Sequence, residues 1–238
     1  MSFNNISFIL HQPQLSENIG ACARAIKNFN FKKLVIVNPK PIFPNDKILA
    51  TSVGAKDVII KSKVHDTLES AIKKVDYVIA TSARFRNKNI KHIQLDDLIK
   101  IDFSKKIAFL FGSEASGLSN NEISYANYTM QIPSNSEFKS LNLSHSVIII
   151  AHKVARIIKL KGGKYNKSEK ISLASKKDVQ AMTNLCIKKL DEKNFFKQLE
   201  KRPKMLENLR SIFYKMELSE KETRILSSVF ASLAKKVD

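Results

Sequence analysis

Six short apolar runs alternate with helix-like segments over the first 132 residues, and this rhythm restricts the fold more than any other feature of the chain. The runs are residues 6–10, 34–37, 58–60, 77–81, 107–111 and 128–132. Amphipathic segments lie near residues 17–29, 66–74, 95–100 and 119–126. Strand and helix patterns that alternate in this way predict an α/β fold, a parallel sheet with helices on both faces. Ligands of such sheets sit beyond the carboxyl ends of the strands, so the chemistry is sought just after each run.

After the first run, Ser16, Glu17 and Asn18 can cap a helix whose inner positions include Ile19, Cys22 and Ile26. Arg24 sits in the middle of that helix, with Gly20 one turn back leaving room beside it; alone, it reads equally well as a solvated charge. After the fourth run, Thr81, Ser82 and Ala83 leave space and hydroxyl donors for a ligand, or form an ordinary loop. After the fifth run, Gly112 and Gly117 have the glycine spacing of a phosphate-binding P-loop. Leu118 and Ser119 then stand where that motif needs Lys and Ser/Thr, which excludes an NTPase. A dinucleotide fingerprint G-x-G-x-x-G is also absent. Glu114, between the glycines, is of the type that holds a loop through backbone N–H groups, and Ser119 with Glu122 forms a capping box.

The sixth run leads into IPSNSEFKSLNLS, residues 132–144. Pro133, Ser134, Asn135 and Ser136 favour turns, and a long apolar helix is expected from about residue 141 to 160. Free N–H groups at a helix start near Ser140, Leu141 and Asn142 suit an anion, or simply make a capped junction. His145 and His152 share a helix face without a third ligand at metal spacing, so no metal is expected.

Residues 164–174 read as a linker between a unit at 1–163 and a helical extension at 175–238. Ser175 with Asp178, Pro203, and Ser219 with Glu222 mark three helix starts. Ile212, Ile225 and Val229 fall among their expected inner positions. The net charge is +19, from 41 basic and 22 acidic residues, and such a field attracts a polyanion. Lys188, Lys189, Lys197, Lys201, Arg202 and Lys204 gather at the first turn of the extension, as a phosphate-tracking patch or a solvated face. The apolar runs are too short to span a membrane, the first residues lack a secretory pattern, and Cys22 and Cys186 have no metal or redox spacing. A cytoplasmic protein with buried thiols is expected.

Three motifs stand in order: N-x-G-x-x-A-R-A-x-x-N-F over residues 18–29, F-G-x-E-x-x-G-L-S over 111–119, and I-P…S-L-N-L-S over 132–144. Together they resemble the SPOUT superfamily, and within it the TrmH-like ribose 2′-O-methyltransferases. The Thr81-Ser82-Ala83-Arg84 run and the helical extension are similar to the TrmJ group, which methylates a cytidine or uridine ribose at nucleotide 32 of tRNA. His11 and Gln12 depart from the group's usual pair before the first loop.

This resemblance implies a SPOUT α/β-knot, with a trefoil knot at the carboxyl end of the sheet, and a homodimer whose sites are completed across the interface. It implies S-adenosylmethionine held by Thr81, Ser82, Ala83, Gly112, Ile132, Lys139, Ser140 and Leu141. It places Arg24 nearest the ribose hydroxyl, with Asn18 and Ser140 orienting RNA and with Glu114, Gly117 and Asn142 shaping the loops. A guanidinium is too weak an acid to serve readily as a base, so Arg24 is expected to bind the adjacent phosphate and polarise the hydroxyl. Ribosomal RNA, the tRNA wobble nucleotide, or a silent RNA-binding protein are the alternative readings.

Overall fold

The structure is a computed structural model that describes residues 3–82, 90–161 and 173–233. Its strands are β1 (Ile6–His11), β2 (Leu34–Val37), β3 (Lys63–His65), β4 (Tyr77–Thr81), β5 (Lys91–Gln94), β6 (Ile107–Phe111) and β7 (Tyr128–Gln131). They form a 7-stranded sheet in the order β3-β2-β1-β6-β4-β7-β5, and every ladder is parallel. The helices are α1 (Ser16–Asn28), α2 (Asp46–Thr51), α3 (Lys56–Ile60), α4 (Leu68–Ile72), α5 (Asn120–Ile123), α6 (Leu143–Lys161), α7 (Lys176–Glu192), α8 (Arg202–Lys215) and α9 (Glu220–Leu233).

The central strands are apolar throughout because both faces of the sheet are covered. Phe8, Leu10, Phe109 and Phe111 point to one face, where Ile19, Cys22 and Ile26 of α1 and Val147, Ile150 and Val154 of α6 meet them. Ile9, Val78, Ala80, Ala108 and Leu110 point to the other, against Leu68 and Ile72 of α4 and Val179, Met182 and Cys186 of α7. Phe213, Tyr214 and Leu218 complete that second core, so the last three helices close a face of the sheet. Backbone bonds fasten them there: Ala174 N donates to Leu218 O (2.8 Å), Lys176 N to Val75 O (3.3 Å) and Lys177 N to Lys73 O (3.3 Å). The linker expected at 164–174 lies outside the described residues up to residue 172; Leu173 bridges to Ser219.

Several elements differ from the sequence expectation. Residues 58–60 belong to α3, which buries Val58 and Ile59 and leaves Ile60 74% exposed. The third strand is instead Lys63–His65, an edge strand too short and polar to show as an apolar run. β5, at the opposite edge, was hidden for the same reason, since only Ile93 of its four residues is buried. The segment 95–100 is a 3₁₀ helix. α6 starts at Leu143 rather than near residue 141, because Asn142 caps it: Asn142 Oδ1 accepts from Ser144 N at 2.8 Å. Ile212, Ile225 and Val229 are exposed rather than inward. The expected capping boxes at Ser119 and Ser219, and the Ser175 cap, are present.

Candidate active site

The order β6-β4-β7 brings the loops after Phe111, Thr81 and Gln131 together at one end of the sheet. The loop after β6 turns back on itself. Gly117 N donates to Ser113 O (2.9 Å), and Gly117 holds φ +66°, a left-handed conformation that favours glycine. Gly112 faces the backbone of Gly117 and Leu118 so closely that a Cβ would lie 2.6 Å from Gly117 O. Both glycines of the motif are therefore required by the turn.

This turn aims Glu114 at the start of α1. Its carboxylate accepts from Gln14 N (2.8 Å), Leu15 N (3.3 Å) and Asn18 Nδ2 (2.8 Å). The residue before α1, Leu15, has no side-chain cap, so Glu114 supplies the negative charge that the positive end of that helix favours. Asn18, only 7% exposed, uses the other end of its amide as well: Oδ1 accepts from Asn142 Nδ2 at 3.1 Å. The chain Glu114–Asn18–Asn142 thus ties all three sequence motifs into one network.

Beside the network opens a cavity of about 720 Å³. Thr81 and Ser82, Gly112, Ile132, Lys139, Ser140 and Leu141 all line it, as do Glu114 and Gly117. Thr81 Oγ1 donates to Leu110 O (3.0 Å), which fixes its rotamer and leaves oxygen lone pairs as acceptors. Leu118, Ile132, Leu141 and Leu143 give the cavity apolar walls. Ala83 and Arg84 lie outside the described residues.

Two residues expected at the substrate, Asn18 and Arg24, do not line the cavity. Asn18 is instead bonded to Asn142, a residue expected to shape the loops. Arg24 is exposed on α1 and makes no hydrogen bond or ion pair among the described residues. Gly20, read as leaving room for it, is instead buried where α1 crosses α2: a Cβ there would meet Ile48 O at 2.5 Å. Ser140 precedes α6 by three residues, so it belongs to the extended loop rather than to a helix start. His145 and His152 are both exposed on α6, with the ring of His152 edge-on to Phe29 at 5.4 Å. Among the described residues no three His, Cys, Asp or Glu side chains cluster to hold a metal, and no helix is long and apolar enough to cross a membrane.

The sequence of residues 5–152 matches the model of the SpoU rRNA methylase family. The chain belongs to that family. The TrmJ tRNA (cytidine-2′-O-)-methyltransferase of Methanocaldococcus jannaschii is 33% identical over 94% of this chain and 98% of its own length. The TrmJ tRNA (cytidine/uridine/adenosine-2′-O-)-methyltransferase of Pseudomonas aeruginosa is 31% identical over 92% and 89%. The crystal structure of TrmJ from Z. mobilis ZM4 superposes with a TM-score of 0.86 at 27% identity, covering 96% of this chain and 99% of that one. The SpoU methylase is thus an enzyme with an α/β SPOUT fold, and these likenesses extend through α7, α8 and α9.

Proposed function

We propose that the chain transfers a methyl group from S-adenosylmethionine to a ribose 2′-hydroxyl of tRNA, at cytidine or uridine 32. The observation that carries this reading is the cavity beyond β4, β6 and β7, built from the three motif loops. S-adenosylmethionine suits it: the volume lies in the usual range for ligands of that size, about 300–1,000 Å³. Thr81, Ser82 and the backbone at Gly112, Ile132 and Leu141 would hold it, with leucine and isoleucine walls against the adenine. Bound there, it would supply an electrophilic methyl carbon.

The chain's own groups must orient the ribose. Ser140, at the cavity mouth, can bind the ribose or phosphate, while Asn18 positions loops rather than substrate. Arg24 would bind the phosphate next to the target and stabilise the developing alkoxide. Its exposed place outside the cavity favours delivery to a second copy's site, hence a homodimer. Exposed Ile148 and His152 on α6, beside α1, suit such a face. We take 1–163 as the catalytic unit, with a trefoil knot formed by the crowded loops after β6 and β7, and 175–238 as an RNA-binding extension in a cytoplasmic enzyme.

The M. jannaschii and P. aeruginosa relatives, matched along 98% and 89% of their length, are named for tRNA, which favours tRNA over ribosomal RNA. The test is to incubate the protein with tRNA transcripts and S-adenosylmethionine and map modified nucleosides by mass spectrometry. A 2′-O-methyl group at nucleotide 32 is expected. Methylation confined to ribosomal RNA, or to another tRNA position, would overturn the assignment of substrate.

A further inference from the structure

Between residues 188 and 204, where α7 turns into α8, stand seven basic and three acidic side chains. Three of the bases are paired: Lys189 with Glu192 (2.7 Å), Arg202 with Asp191 (2.9 Å) and Lys204 with Glu207 (2.9 Å). Lys188, Lys193, Lys197 and Lys201 are exposed, and their ammonium groups form no ion pair among the described residues. Amid them Phe195 is 51% exposed.

That ring is held in place. Phe195 N donates to Leu190 O (3.0 Å), and Lys197 N donates to Phe195 O (3.0 Å). Phe196 stands edge-on to it, with centroids 5.3 Å apart at 85°. The guanidinium of Arg202, bound to Asp191, covers Phe196 at 5.3 Å. A buttressed aromatic ring open to water, ringed by unpaired lysines, has the two elements that unpaired RNA recognises: a stacking face and cations for the backbone. A protein partner would have to bring a carboxylate for each lysine.

We propose that this turn is a stacking platform for an unpaired nucleotide of the RNA substrate, with a base lying on Phe195 and flanking phosphates met by Lys193, Lys197 and Lys201. It rests on the reading of the chain as an RNA methyltransferase and adds where the extension grips. The chain contains no tryptophan, so Phe195→Trp installs a single fluorescent reporter. The full-length variant is titrated, without cofactor, with a tRNA transcript and with a short oligouridylate. Saturable quenching by both is expected. Phe195→Ala should weaken tRNA binding about tenfold with an unchanged salt slope, whereas Lys197→Gln with Lys201→Gln should lower that slope by about two. Absence of quenching by either RNA, or unchanged tRNA affinity in Phe195→Ala, overturns the platform. So does self-association that Phe195→Ala abolishes without affecting RNA. Methyl transfer is measured in parallel: intact quenching without methylation would fault the enzymatic reading alone, and methylation without quenching the platform alone.

Discussion

Glu114 shows how one residue can organise a site through the groups it holds in place. Three donors converge on its carboxylate from the start of α1. Glu114→Gln turns an NH₂ group toward those donors and should cost about 1–3 kcal/mol in denaturant unfolding; an unchanged midpoint would deny the network its role. Arg24 has the opposite character, exposed and without an ion pair or hydrogen bond among the described residues. Arg24→Ala should keep S-adenosylmethionine binding and slow methyl transfer a hundredfold or more, about 3 kcal/mol in the barrier. Normal turnover by the variant would remove the guanidinium from the mechanism. At this scale Thr81, Ser82 and Gly112 were readable in advance, because small, hydroxyl and glycine residues after a strand leave room for a ligand; Ile132, Lys139 and Leu141 followed only from the family resemblance, and Phe138 and Leu143 gave no signal of their own. The bond from Asn142 to Asn18 was not readable, since it joins positions 124 apart and only folding brings them together.

Elements that bury an apolar face announced themselves, and those that do not stayed hidden. β3 and β5, the edge strands, present Val64 and Ile93 as isolated apolar residues among polar ones. The extension helices carried clear caps but an ambiguous inner face, because Ile212, Ile225 and Val229 are as apolar as the residues that do pack. The docking of α7 also buries a charge-bearing group. Lys176 is 3% exposed, its ammonium 5.0 Å from the Tyr214 ring, and burial lowers its pKa to about 7 against the attraction of Glu217 and Asp76. The unfolded chain binds that proton up to its ordinary value near 10.5, so between pH 7 and about 10 the unfolded state holds more protons and stability rises with pH. Thermal melting across that window should show the rise in the native protein and lose it in Lys176→Met. A flat native profile would mean that the lysine escapes to water. The same docking warns against simple truncation: removing the extension uncovers Leu68, Ile72, Val78 and Leu110, so charge substitutions are the cleaner probe of RNA binding.

For the molecule as a whole, alternation along the sequence was enough to give a parallel sheet covered on both faces, because that architecture follows from local patterns. Strand order was not legible, since placing β4 between β6 and β7 depends on how distant loops pass one another. Arg24 stands outside the cavity of its own chain. If a second copy supplies it, mixing Arg24→Ala protomers with Gly112→Val protomers should restore methyl transfer that neither variant performs alone. Continued inactivity of the mixture would place each site within a single chain. Beneath all of this lies the claim that the three motif loops form one cradle for the methyl donor. Calorimetric titration with S-adenosylmethionine tests it most directly. Saturable binding of one molecule per chain, kept in Arg24→Ala and lost in Gly112→Val, is the predicted result; no binding by the native protein, or undiminished binding by Gly112→Val, would contradict it.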